Sequence, residues 1–292
     1  MTKAKVGVIG GSGVYTLQGF VASREERIET PWGEPSDALR FGRVRDTEVV
    51  FLARHGRGHR FTPSSINYRA NIDALKRAGV TDIVAVSACG SYKRELYPGL
   101  FVLADQFIDR TFKRETSFFG TGCVAHVSFG HPTSAVLRKR VAAAAAAEGM
   151  PLQHGGTYVC MEGPQFSTVA ESLHYQSLGA SVIGMTAATE AKLAREAEIA
   201  YALIAMVTDF DCWHDEHGPV DVASVMKVMH DNADKANRLV ARVLSDIPAE
   251  REPCPLSDRA LDGAIMTHRE ARDPALLAKL DAIAGRVLRA GH

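Results

Sequence analysis

The segment TDFDCW, residues 208–213, places two carboxylates two positions apart, Asp209 and Asp211, directly after the apolar run YALIAMV. In an extended chain, side chains two apart point the same way, so the pair is expected to face one direction from a strand end. Like charges that close resist ionising together, and this raises the proton affinity of one of them. A shareable proton at a strand end suits a ligand that has something to protonate.

Three other strand exits carry donors for an anion. In VGVIGGSGVY, glycines on both sides of Ser12 let backbone N–H groups and a hydroxyl approach closely. The same stretch fails as a dinucleotide fingerprint, because from Gly11 the pattern reaches Gly13 and then Thr16 where a third glycine is required. FLARHGRGH brings Arg54, with a planar fork of donors suited to phosphate, and His55, expected to donate another hydrogen bond. VAVSACGSY adds Ser87, the Ala88 amide and a glycine bend. Taken singly, these are an ordinary turn and a solvated basic loop; together they point to phosphate.

Two loops could hold a flat ring. YVCMEGPQFSTVAES offers Phe166 for stacking and Ser167 for one polar contact, with a helix to follow; the plain alternative is a core aromatic and a helix cap. VIGMTAATEA offers Met185 and Thr186, the latter equally able to cap a helix, with Glu190 too distant for a capping box.

The elements that must position these residues follow from periodicity. KVGVIG, VVFLA, DIVAVSA, LFVLAD, SVIGMT and YALIAMV read as strands; NYRANIDALKRAG, TSAVLRKRVAAAAAAEG, TEAKLAREAE and VASVMKVMHDNADKANRLVARVLSD read as helices. This alternation predicts an α/β fold, one large domain whose central strands are covered by helices on both faces. The composition shift at IPAEREPCPLSD divides a main domain, residues 1–247, from a C-terminal helical extension, residues 248–292, packed on it.

Composition narrows the setting. The 292 residues carry 34 Lys and Arg against 34 Asp and Glu, so no general attraction to nucleic acid or an anionic membrane is expected. Five scattered cysteines without a CxxC pair point to a reducing compartment. With no signal peptide or membrane-spanning run, the expected location is the cytoplasm.

The segments GGSG, LARHG, NYRANIDALK, SACGS, DQFIDRT, MEGPQFS, GMT and TDFDCW, in this order, resemble those of the 5′-methylthioadenosine phosphorylases, a branch of the purine nucleoside phosphorylase superfamily. The resemblance runs from about Val6 to Val243 and implies that family's central mixed β-sheet flanked by helices. It implies phosphate among Ser12, Arg54, His55, Ser87, Ala88 and Thr186, and a purine and ribose beside Phe166, Ser167 and Met185. It places Asp209 and Asp211 at the purine edge, gives Val220, Val222 and Val225 to the methylthio group, and sends His126 into a neighbouring subunit's site, hence a homotrimer or a dimer of trimers. Departures are Ser12 and Ser87, where the family often has threonine, Tyr92, where a smaller aliphatic is common, and the tail, which matches least.

The implied chemistry is phosphorolysis of methylthioadenosine to adenine and 5-methylthioribose 1-phosphate. Breaking an N-glycosidic bond leaves negative charge on the departing adenine, which an acid of raised pKa relieves by protonating N7. Asp209 is the candidate acid and Asp211 the acceptor for the exocyclic amine, with the roles exchangeable. A carboxylate accepts from a 6-amino group and repels a 6-oxo group, which favours adenine over hypoxanthine nucleosides. No cofactor and no metal are expected, inorganic phosphate being a co-substrate. Adenosine or methylthioinosine phosphorolysis remains the neighbouring alternative. From other classes, Asp-x-Asp with His214, Asp215 and His217 suggests a metal-dependent DxD glycosyltransferase, and a non-catalytic nucleotide-binding module would bind adenosine without releasing base.

Overall fold

The computed structural model describes residues 3–11, 17–214, 221–248 and 250–289. Its strands are β1 (Lys5–Gly10), β2 (Phe20–Glu26), β3 (Leu39–Val44), β4 (Thr47–Ala53), β5 (Asp82–Ser91), β6 (Phe101–Ala104), β7 (Gln106–Asp109), β8 (Leu152–His154), β9 (Thr157–Cys160), β10 (Val182–Gly184) and β11 (Ala200–Asp209). The helices are α1 (Tyr68–Arg77), α2 (Ala135–Ala147), α3 (Val169–Ser177), α4 (Ala187–Glu196), α5 (Val222–Ser245), α6 (Pro255–Asp258), α7 (Pro274–Lys279) and α8 (Asp281–Arg289).

Period-two patterning decides where the central strands lie. Val6 and Val8 of β1, Val84 and Val86 of β5, and Ile204 and Met206 of β11 enter one buried cluster. Ile9, Ile83, Ala85, Leu203 and Ala205, one residue out of phase, enter the opposite cluster. Strands apolar on both faces require cover on both. Helices α2 and α5 supply it on the first side, and α1, α4 and α8 on the second.

Among the described residues these strands form one mixed sheet, with the order β2-β3-β4-β1-β5-β10-β9-β7. Strand β5 is the hub. It pairs in parallel with β1 through Asp82–Ala85 and with β11 through Asp82–Gly90, then meets β10 antiparallel at Gly90 and Ser91. The ends of several strands are thereby gathered around the last residues of β5.

Strands β2, β3, β7, β8 and β9 are absent from the elements expected from periodicity, and of these β2, β7 and β8 are edges among the described residues. Strand β2 is almost wholly exposed and reads FVASREE, so no buried face imposes alternation, while β7, β8 and β9 have only three or four residues each. The glycine bend expected at SACGS is instead continuous strand, since β5 runs through Gly90 to Ser91. Helix α4 starts at Ala187, two residues earlier than TEAKLAREAE suggests.

Beyond α5 the chain contributes directly to the main core. Leu261, Leu280, Ile283 and Val287 belong to the same buried cluster as Ile9 and Leu52. Glu198, following α4, accepts from the Leu261 amide at 3.1 Å and from Arg286 Nε at 2.7 Å. No helix is long and apolar enough to cross a membrane among the described residues.

Because Leu280 is fully buried, Leu280→Ala is expected to cost about 2–5 kcal/mol of global stability. Urea unfolding followed by circular dichroism measures this. A second, earlier transition confined to the tail would contradict the shared core.

Candidate active site

The exits of β4, β5, β10 and β11 open on one cavity of about 360 Å³. Arg54, His55, Ser87, Ala88, Met185, Thr186, Asp209 and Asp211 line it, together with Phe166, Val222 and Val225. Ser12 and Val220 lie outside the described residues. Ser167 stands just off the lining, its hydroxyl directed at Met161 Sδ at 3.7 Å. His126 is exposed and apart from the cavity, its backbone N–H on the Ala264 carbonyl at 2.9 Å.

The two acids reach the cavity by a different route from simple alternation. A bulge at Thr208 shifts the β5–β11 register, so that Asp209 faces Gly90. The strand then ends, and Asp211 sits in a turn with φ of 50°. Aspartate tolerates this left-handed conformation better than most residues. The turn carries the Asp211 amide onto Asp209 Oδ1 at 2.8 Å. A Cβ at position 90 would lie 2.7 Å from that same oxygen, so only glycine lets the carboxylate sit there.

Asp209 Oδ2 and the Cys89 carbonyl both approach Thr208 Oγ1, at 2.7 and 3.1 Å. A hydroxyl has a single proton, and both oxygens are acceptors when Asp209 is ionised. Both contacts are full hydrogen bonds only when Oδ2 carries a proton of its own and donates it to Oγ1. Burial pushes the Asp209 pKa upward, with the Asp211 charge adding a smaller push. Burial also raises that of Asp211, whose Oδ2 is buried without a hydrogen-bond partner among the described residues. Desolvation therefore outweighs the like-charge repulsion that the Asp-x-Asp spacing suggests.

The anion donors are arranged differently from expectation as well. Arg54, 1% exposed, turns its fork toward Glu190 of α4 rather than into the cavity. Its Nε meets Glu190 Oε1, Nη2 meets Oε2 at 3.1 Å, and Nη1 donates to the Val86 carbonyl at 3.0 Å. Three of the guanidinium's five N–H groups are thus engaged. A Cβ at position 11 would lie 3.0 Å from Nη1, so glycine there leaves room for the guanidinium.

His55 is held by the Phe61 carbonyl, 2.9 Å from Nδ1. A carbonyl only accepts, so Nδ1 carries the hydrogen. Burial, then the Arg54 charge, lower the His55 pKa to about 4, so the ring is neutral near neutral pH and Nε2 offers a lone pair. The histidine expected as a donor is an acceptor toward the cavity, open to an anion only through an O–H that the anion carries. Thr186 occupies the N-cap position of α4 without capping it, and its buried hydroxyl has no protein partner among the described residues. Helix α3 is capped by Thr168 in a capping box with Glu171, leaving Ser167 out of that role.

Several residues around the cavity escaped sequence reasoning. Met226 and Met229 line it beside Val222 and Val225, at offsets of zero, three, four and seven along α5; that periodicity was available. Arg114 has no such signal. It is buried and donates to the carbonyls of Met185 and Glu162, tying two lining loops together. Glu190 and Tyr201, whose hydroxyl donates to Glu190 Oε2 at 2.9 Å, are likewise visible only in three dimensions. Among the described residues no group of three or more His, Cys, Asp or Glu could hold a metal ion.

Comparison with known proteins places this architecture in a family. The model of the phosphorylase superfamily matches residues 5–245. An S-methyl-5'-thioadenosine phosphorylase of Bradyrhizobium diazoefficiens is 64% identical over 99% of this chain and 100% of its own. One from Cereibacter sphaeroides is 58% identical over 98% and 99% of the two chains. Among solved structures, a methylthioadenosine phosphorylase from an antarctic soil metagenomic library superposes with a TM-score of 0.90 at 44% identity, over 97% of this chain and 99% of that one. The Schistosoma mansoni methylthioadenosine phosphorylase in complex with adenine gives 0.82 at 38% identity, over 85% and 93%.

Removing Glu190 strands the Arg54 charge in the interior. Glu190→Ala is expected to lose about 3–5 kcal/mol in chemical denaturation, and a loss near zero would show that the pair is solvated. The raised Asp209 pKa has the opposite consequence. Its burial penalty is absent below the unfolded value of 3.8 and grows as pH rises through the folded pKa. Asp209→Asn should therefore melt higher than the parent at neutral pH, with the gap closing as the solution is acidified toward 3.8. Thermal melts across that range read it, and a gap that widens on acidification contradicts a raised pKa.

Proposed function

This chain belongs to the phosphorylase superfamily, and we propose on that premise that it cleaves 5′-methylthioadenosine with inorganic phosphate, yielding adenine and 5-methylthioribose 1-phosphate. The observation that carries this reading is the buried Asp209 carboxyl, placed between Thr208 Oγ1 and the Asp211 amide on the wall of a nucleoside-sized cavity.

Asp209 serves as the acid. Its proton, retained by burial, passes toward the purine N7 as the glycosidic bond breaks, so adenine leaves as a neutral base. Asp211 accepts from the 6-amino group, and Phe166 covers one ring face, with Met185 beside the ribose. Ser167, its hydroxyl on Met161 Sδ, borders the same wall on the nucleoside side. Phosphate lies among Ser12, the two uncommitted Arg54 N–H groups, Ser87, the Ala88 amide, Thr186 and His55. From there its charge stabilises the developing sugar cation while one oxygen attacks the anomeric carbon. The methylthio group rests on the apolar side formed by Val220, Val222 and Val225, extended by Met226 and Met229.

The reaction needs no cofactor. His126, apart from its own protomer's cavity, completes a neighbour's, so the working form is a homotrimer or a dimer of trimers. The five cysteines, unpaired in the structure, suit a cytoplasmic enzyme of methionine and purine salvage.

Adenine release from methylthioadenosine should depend strictly on phosphate. Asp209→Asn is expected to lower kcat about 10²–10⁴-fold while changing the KM for phosphate far less. Methylthioinosine should be a poorer substrate than methylthioadenosine by about tenfold or more, the scale of one mismatched hydrogen bond at a charged group. A coupled assay for adenine formation decides the matter: phosphate-independent release, or full turnover in the Asn variant, defeats the proposal.

A further inference from the structure

One buried cation outside the reaction cavity has no counter-charge among the described residues. Arg195, near the carboxyl end of α4, is 2% exposed. Its Nη1 and Nη2 donate to the carbonyls of Ser128 and His131, each at 2.6 Å, and the Phe129 ring lies 5.7 Å from its guanidinium carbon. Burial lowers its pKa and no carboxylate offsets the effect. Carbonyl dipoles hold the fork in place but leave the charge itself unneutralised, whereas buried charges are ordinarily paired.

Arg195 forms part of the wall of a separate cavity of about 320 Å³ at the amino end of α2. Further donors without partners gather on the same wall. Thr133, 4% exposed, has a buried hydroxyl with no protein partner among the described residues. Arg138 Nε is also buried and unpartnered, while its Nη1 makes only a long contact of 3.5 Å with Asp105. The first turn of α2 contains no acid, so the positive end of its dipole is uncompensated, although Ser134 Oγ caps the Leu137 amide at 3.2 Å. No carboxylate lines this cavity among the described residues.

We propose that this cavity is a second oxyanion site, which takes a phosphate group on Arg195, Arg138 and the Thr133 hydroxyl. A tetrahedral oxyanion offers several acceptors in different directions, matching donors that come from α4, from α2 and from the residue preceding its cap. The phosphate group could arrive as inorganic phosphate or as the monoester of a sugar. Helix α4 connects this cavity to the reaction cavity: Thr186 lies at one end, Arg195 near the other, and Glu190 between them holds Arg54. An anion on Arg195 therefore draws on the helix that shapes the reaction cavity.

Equilibrium dialysis of the full-length protein with labelled inorganic phosphate tests the site. Arg138→Glu, which sets a negative charge beside the cavity on a partly exposed position, should remove one equivalent of phosphate per chain, with methylthioadenosine turnover kept within about twofold. Arg195→Lys keeps the charge but loses the fork, and should weaken that equivalent at least tenfold. In crystals soaked with tungstate, an anomalous peak is expected between Arg195 and Thr133. Ribose 1-phosphate that displaces this equivalent assigns the site to sugar phosphates, and failure to displace it assigns inorganic phosphate; either supports an oxyanion site. Phosphate stoichiometry unchanged in Arg138→Glu, no tungstate at Arg195, or a carboxylate from a neighbouring copy seated on Arg195 would overturn it. These outcomes are independent of the proposed reaction, whose failure appears as phosphate-independent adenine release with the Arg138-sensitive equivalent still bound.

Discussion

The ion pair between Arg54 and Glu190 is the constraint around which the reaction cavity is built. It joins the exit of β4 to α4, and through the Tyr201 hydroxyl it also fastens β11. Two full charges removed from water are tolerable only where geometry is good and the remaining hydrogen-bonding capacity is met. Here both carboxylate oxygens and three guanidinium N–H groups are engaged. The pair therefore ties the first turn of α4 to the exit of β4, and Thr186, whose hydroxyl has no partner among the described residues, stands at the start of that helix on the cavity wall. Whatever anion the cavity takes meets an arginine already oriented and already partly neutralised, so backbone amides and hydroxyls must supply much of its coordination.

The acid pair obeys a second constraint, which is desolvation. A carboxyl at the end of a fully buried strand is held toward its neutral form, and the neighbouring Asp211 charge contributes less than the loss of water does. That is unfavourable for stability near neutral pH and favourable for delivering a proton, a compromise found where chemistry takes precedence over packing. Gly90 and the left-handed turn at Asp211 belong to the same compromise. Each accepts a local conformational cost so that two carboxylates can share one small volume.

The neutral state of His55 shows how a short contact can reverse a role. Its Nδ1 hydrogen is committed to the Phe61 carbonyl, and burial beside Arg54 disfavours a second proton. A residue type that can serve as donor or acceptor is thereby made an acceptor toward the cavity. Only an anion that carries an O–H could meet that lone pair as a donor.

By itself the sequence determined the alternation of buried strands and amphipathic helices, because period-two and period-3.6 patterns are local consequences of backbone geometry. It likewise determined which strand exits carry reactive side chains, and Arg54, Ser87, Thr186, Asp209 and Asp211 do converge on one cavity. Exposed or very short strands such as β2 and β8 left no such imprint, having no buried face to pattern. Only the tertiary structure decided partners and protonation. That Arg54 faces Glu190, that Thr208 Oγ1 meets both Asp209 and the Cys89 carbonyl, that Arg114 ties two loops together and that Arg195 has no counter-charge among the described residues all depend on residues brought together from distant parts of the chain. Hydrogen-bond direction and desolvation are properties of such neighbourhoods, and spacing along a chain does not encode them.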